Sequence, residues 1–168
     1  ANGVLVNIKW VDSELVTREN AGELFQDVCG ILVPGGFGDR GIEGKICAIE
    51  YARVHQIPFL GLCLGMQLSI VEFARHVLGY KDAHSAEFAP TSCHQVIHLM
   101  PGQDGVENIG GTLRLGSYPC VLDKDSKAYQ LYKKEKITER HRHRYEVNND
   151  YRVELIEKGM KLSGLSPD

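Results

Sequence analysis

The chain has 168 residues, 43% of them apolar and 24% charged, which is the length and balance of one soluble globular domain able to bury a core. Its net charge of −3 carries no dominant basic patch for nucleic acid, no apolar run reaches the length of a membrane span, and no charged-then-apolar opening supports secretion. Five cysteines (Cys29, Cys47, Cys63, Cys93 and Cys120) are odd in number, widely spaced and without a C-x-x-C, a pattern that suits free thiols in the cytoplasm better than a disulfide framework or a zinc site.

Val4 to Trp10 alternates and is rich in β-branched residues, so it is predicted as a strand; Glu19 to Asp27 is predicted as a short helix or turn. Gly30 to Val33 is a short apolar run that reads as a buried strand, and P-G-G-F-G at Pro34 to Gly38 follows it as a glycine-rich turn. Ile42 to His55 carries apolar residues near helical spacing and is predicted as a helix. Phe59 to Leu62 is the next strand, followed by Cys63 and a helix-compatible run from Leu64 to Leu78. Strand, helix, strand, helix in this order argues for an α/β fold with a parallel sheet. After Gly79 the character changes: Tyr80 to Pro90 reads as loop, His94 to Met100 as a strand, Pro101 to Gly111 as a glycine-rich turn region. Thr112 to Gly116 and Tyr118 to Leu122 read as two strands of a smaller β section, Ser126 to Lys134 and Tyr151 to Lys158 as short helices, and Lys161 to Ser163 as the start of another strand.

Three stretches carry chemistry. Gly61-Leu62-Cys63-Leu64-Gly65 has the form of a nucleophile elbow: a strand, a sharp turn with small neighbours, a reactive residue and a helix whose positive N-terminal end favours a thiolate. A buried, inert cysteine at a strand end is the competing reading. The glycine pair of Pro34 to Gly38 can turn backbone N–H groups toward an oxyanion, or can be a plain tight loop. Glu139 to Glu146, E-R-H-R-H-R-Y-E, allows three readings: metal binding by His141 and His143, which share one face of a strand; an exposed basic strip; or an arginine clamp for an anion. Composition alone does not choose among them, although three arginines make a cation site unattractive.

Taken together, G-I-L-V-P-G-G-F-G-D-R-G-I-E-G-K at 30–45, P-F-L-G-L-C-L-G-M-Q at 58–67, G-G-T-L-R-L-G at 110–116 and E-R-H-R-H-R-Y-E-V-N at 139–148 resemble the C-terminal class I glutamine amidotransferase domain of the CTP synthase family. The resemblance runs over essentially the whole chain. It implies a flavodoxin-like three-layer α/β fold, with a mostly parallel central sheet flanked by helices and a small additional antiparallel section. Cys63 is then the nucleophile that attacks the side-chain amide of glutamine, and the backbone N–H groups of Gly36 and Leu64 form the oxyanion hole. Gly36, Leu64, Gly65, Met66, Gln67, Glu87 and Arg144 line the glutamine pocket, with Glu87 for the ammonium and Arg144 for the α-carboxylate. Arg114, Arg40 and Gly44 fall where the family responds to the activator GTP. No cofactor or metal belongs to this domain. The ammonia serves a synthetase domain that uses ATP and Mg2+ to aminate UTP to CTP in pyrimidine biosynthesis, in an enzyme expected to be a cytoplasmic homotetramer.

The family completes its triad with a His and a Glu in an H-P-E motif, and no H-P-E occurs in these 168 residues. The expectation is therefore a piece of a longer polypeptide, cut at both ends, with the base beyond Asp168. The alternative is a catalytically silent amidotransferase-like domain with a regulatory or assembly role.

Overall fold

The computed structural model describes residues 3–99 and 114–167. The chain divides into two compact units, Ala1–Glu72 and Phe73–Asp168, each with its own elements. Among the described residues no helix is long and apolar enough to cross a membrane.

The first unit is built of helices and a parallel strand pair. A 3-10 turn at Ser13–Leu15 is capped by the Asp12 carboxylate, which accepts the Glu14 N–H at 3.0 Å. Then come α1 (Ala21–Phe25), β1 (Ile31–Val33), α2 (Ile42–Val54), β2 (Phe59–Gly61) and α3 (Leu64–Phe73). Helix α2 forms where predicted because Ile42, Ile46 and Ile49 recur on one face, and all three are buried. Strands β1 and β2 pair in parallel, with Ile31 opposite Phe59, Leu32 opposite Leu60 and Val33 opposite Gly61. Helix α2 is the crossover between them, as parallel pairing requires. Strand β1 is buried on one face only: Ile31 and Val33 are inside, whereas Leu32 and its partner Leu60 are more than half exposed. Helices α2 and α3 are tied by Arg53, whose guanidinium donates to both carboxylate oxygens of Glu72 at 2.8–3.0 Å. Glu72 itself is 1% exposed.

The expected strand at Val4 to Trp10 does not form. The segment is irregular, and Val4, Leu5, Val6, Ile8 and Trp10 are all exposed. Alternation marks a face that can be buried, but a strand also needs a hydrogen-bonded neighbour, and no pairing to this segment exists among the described residues.

The second unit starts on the last residue of α3. The helix continues as a π-helical turn, Ala74–Leu78, and Gly79 closes it in the left-handed conformation. There follow β3 (His84–Ser85), β4 (Gln95–Leu99), β5 (Arg114–Leu122), α4 (Lys127–Tyr132), β6 (Lys136–His143), β7 (Tyr145–Val147), α5 (Arg152–Glu157) and β8 (Gly164–Leu165). They make two three-stranded sheets, in the orders β3-β4-β7 and β6-β5-β8. Strand β3 lies parallel to β4, and the remaining pairs are antiparallel. Val96, Ile97 and Leu155 supply the buried apolar centre. The two strands expected around residue 117 are one: β5 runs through Gly116 and Ser117, which stay in register opposite His141 and Arg140. The strand expected at Lys161 to Ser163 begins later, at Gly164. Met100, the turn region at Pro101 to Gly111, and Thr112 and Leu113 lie outside the described residues.

Candidate active site

Strand β2 runs alongside β1 and ends by donating the Leu62 N–H to the Val33 carbonyl at 2.9 Å. The next residue, Cys63, has a φ of 51°, in the left-handed region that a side chain with Cβ rarely adopts. The chain then turns into α3, where the Gln67 N–H reaches back to the Cys63 carbonyl at 3.0 Å and the Gly65 N–H to the Leu62 carbonyl at 2.9 Å. Cys63 thus stands at the head of a ten-residue helix, and its side chain is exposed.

The flanking glycines are explained by close approach. A Cβ on Gly61 would lie 2.6 Å from the backbone of Gly65 and Met66, and a Cβ on Gly65 would strike the Val33 carbonyl. The G-x-C-x-G spacing is therefore a packing requirement of the elbow on β1. The loop after β1 comes to the same place. A Cβ on Gly35 would be 3.3 Å from the Cys63 Cβ, and one on Gly36 would be 3.7 Å from a Leu64 methyl. Gly36 is thus beside the residue that opens α3, where the first N–H groups of a helix have no intrahelical acceptor. The loop, the thiol and the helix start converge, an arrangement suited to stabilising negative charge next to a nucleophile.

Among the other residues of this unit expected to line the pocket, Leu64 and Gln67 are buried at 3% and 5%, while Met66 is 40% exposed. Gly65 contributes backbone only. Arg40 is exposed and paired: its guanidinium contacts Glu14 at 2.6 Å and Asp12 at 3.7 Å. Gly44 is packed hard on the Ser13–Leu15 turn, where a Cβ would strike the Ser13 carbonyl.

Glu87 and Arg144 belong to the second unit and are brought together there. Glu87 follows β3 in a loop built on Ser85, which is fully buried. The Ser85 hydroxyl accepts the Glu87 N–H at 3.2 Å, its carbonyl accepts the N–H groups of Phe88 and Ala89, and the Ala86 N–H is held by the Ile97 carbonyl at 2.8 Å. Burial pushes the Glu87 carboxyl above the ordinary carboxylate range, and the nearby positive charge of Arg144 opposes that rise. Arg144 is the single residue between β6 and β7. Its Nε is buried and has no hydrogen-bond partner, a donor without an acceptor inside the protein. Arg114 begins β5, opposite His143.

Among the described residues no cluster of His, Cys, Asp or Glu has the geometry of a metal site. His141 and His143 do share a face, but they hydrogen-bond each other, Nδ1 to Nε2 at 2.8 Å. Of the other cysteines, burial pushes the Cys47 and Cys120 thiols upward, and Cys29 and Cys93 are exposed. Exposure therefore does not single out Cys63; its backbone and its helix do. The contact of Gly35 with Cys63 and the Arg53–Glu72 tie were not readable in advance, because both depend on which strand and helix become neighbours.

The family profile described as glutamine amidotransferase class-I matches residues 1–168. The chain is 58% identical to CTP synthase of Clostridium beijerinckii over 168 residues, 100% of this chain and 31% of that protein. It is 62% identical to CTP synthase of Halalkalibacterium halodurans over 163 residues, 97% of this chain and 31% of that protein. It thus spans about a third of the length of the curated relatives it matches. Among solved structures it resembles the glutaminase domain of Trypanosoma brucei CTPS with bound acivicin, at a TM-score of 0.88 and 39% identity, over 97% of this chain and 63% of that one.

Proposed function

The chain belongs to the class I glutamine amidotransferase family, and on that premise we propose that it hydrolyses the side-chain amide of glutamine through a thioester on Cys63. The sulfur adds to the amide carbon, and the tetrahedral oxyanion is held by the N–H groups of Gly36 and Leu64. The C–N bond then breaks, the nitrogen leaves as ammonia with the proton taken from the thiol, and water hydrolyses the thioester to glutamate. Glu87 takes the α-ammonium and Arg144 the α-carboxylate of the substrate, the charge complement a free amino acid needs. The observation that carries this reading is the left-handed backbone of an exposed cysteine at a helix start, with Gly35 against its Cβ.

The high identity to proteins named CTP synthase supports a narrower reading: the ammonia aminates UTP in a partner synthetase domain that uses ATP and Mg2+. A GTP response through Arg40, Gly44 and Arg114, and a homotetrameric assembly, belong to the same proposal. Gly44 has a second explanation in its packing on Ser13.

The test is covalent labelling with an electrophilic glutamine analogue such as 6-diazo-5-oxo-norleucine, read by peptide mass spectrometry. Modification of Cys63 with sparing of the other four cysteines, and protection by glutamine, is the expected result. Labelling spread over the exposed Cys29 and Cys93 as well would reject the nucleophile. No labelling at any thiol would favour the silent regulatory domain.

A further inference from the structure

We propose that His143, braced by His141, is a positioning residue: it pins the one-residue crossing at Arg144 so that the buried Nε–H of Arg144 is held ready for a carboxylate. The proposal rests on the reading of Arg144 as the clamp for the α-carboxylate of glutamine.

The chain changes sheets at Arg144. Up to His143 it is paired with β5, ending with His143 opposite Arg114. From Tyr145 on it is paired with β4, starting with Tyr145 opposite Leu99. A single residue between two ladders has no partner strand of its own to fix its φ and ψ. The His143 ring bridges this gap, because its Nδ1 meets the Tyr145 carbonyl at 3.0 Å, spanning Arg144. A carbonyl only accepts, so His143 carries its proton on Nδ1. In the neutral ring Nε2 is then the acceptor, and His141 donates to it from Nδ1 at 2.8 Å. His141 is itself set against Tyr118 of the neighbouring strand, edge to face, with ring centroids 5.4 Å apart. A chain of contacts therefore runs from Tyr118 through His141 and His143 to the backbone on either side of Arg144.

What this chain holds in place is a donor without an acceptor. The Nε of Arg144 is buried and unpaired, an unfavourable state unless a ligand satisfies it. A side chain on an unbraced crossing would turn that donor to water. The brace prevents the turn, so the ligand meets a preorganised group.

The test uses the full-length enzyme and glutaminase kinetics. An Asn at 143 can keep a donor at the Nδ1 position, whereas a Gln places its amide where Nε2 stood. His143→Asn should keep the KM for glutamine within about twofold, and His143→Gln should raise it roughly tenfold, with kcat changed far less in both, the size expected for one lost positioning hydrogen bond. His141→Phe, which keeps the ring on Tyr118, should raise KM in the same direction by a smaller factor, and it tests the brace even if His143→Gln does not fold. The second substrate is 4-aminobutanamide, which lacks the α-carboxylate: its kcat/KM should not respond to any of these changes. Equal behaviour of the two His143 variants, or equal losses on both substrates, would overturn the positioning role. Arg144→Gln separates the two levels. If it leaves the glutamine KM unchanged, the clamp itself is wrong; if it raises KM while His143→Gln and His141→Phe do not, only the brace is.

Discussion

Cys63 combines an exposed thiol with a backbone conformation that costs a non-glycine residue roughly 1–2 kcal/mol. Nothing in packing repays that cost, because the side chain is not in the core. The conformation persists because Leu62 is fixed to Val33 and α3 is fixed below Gly65. Strain held in this way by its surroundings points to function rather than stability, in line with the proposed nucleophile. Cys63→Gly should therefore raise stability by about 1 kcal/mol while removing thioester chemistry. Thermal unfolding checks this: a lower Tm in the glycine variant would mean that the left-handed turn is not strained. At the same scale, the role proposed for Glu87, binding the substrate ammonium, gives a pH dependence with a definite sign. Burial raises its carboxyl, so it takes up a proton at higher pH than an ordinary glutamate as the medium is acidified. Only the carboxylate attracts an ammonium. The KM for glutamine should thus rise on acidification earlier than an ordinary carboxylate would dictate. Removing the opposing charge by Arg144→Gln should move that limb to still higher pH, and a limb that moves downward would contradict the pairing.

At the scale of elements, the elbow is only as well placed as α3, and α3 is tied to α2 by a charge pair that is half sunk in the core. Glu72 is 1% exposed and accepts three hydrogen bonds from Arg53. Breaking such a pair from one side leaves a buried charge, so Arg53→Ala should cost about 3–5 kcal/mol in chemical denaturation. Replacing both partners by Met should recover most of it, and an Arg53→Ala variant as stable as the parent would show the pair to be dispensable. Much of this architecture was legible in the order of residues. The helix at Ile42–Val54 and the strand–Cys63–helix turn follow from apolar spacing and glycine placement, which act locally. The failures lie where the outcome depends on a neighbour. Val4 to Trp10 has the alternation of a strand and no paired partner, and Gly116 looks like a break but stays in the ladder because β6 holds it on one side. The site divides the same way. The sharp turn at Cys63 was legible because an elbow is a local device, whereas the unpaired Nε of Arg144 and the linked rings of His141 and His143 come from two sheets meeting at one residue.

For the whole molecule, the two units carry different parts of the proposed task. On that proposal Cys63, Gly36 and Leu64 belong to the first unit, and Glu87 and Arg144 to the second. Releasing ammonia and using it are chemically separable steps, since ammonia supplied from solution bypasses the thioester. If the proposed link to UTP amination holds, Cys63→Gly in the full-length enzyme should abolish CTP formation supported by glutamine, by at least about 10³-fold, because loss of a covalent nucleophile removes the whole pathway. CTP formation supported by ammonium salts should persist in the same preparation, since the acceptor chemistry does not pass through the thiol. The ratio of the two rates is the informative quantity, because a folding defect lowers both and leaves the ratio unchanged. Equal loss on both nitrogen sources would mean that Cys63 supports structure rather than glutamine hydrolysis. Retention of both would place the nucleophile elsewhere.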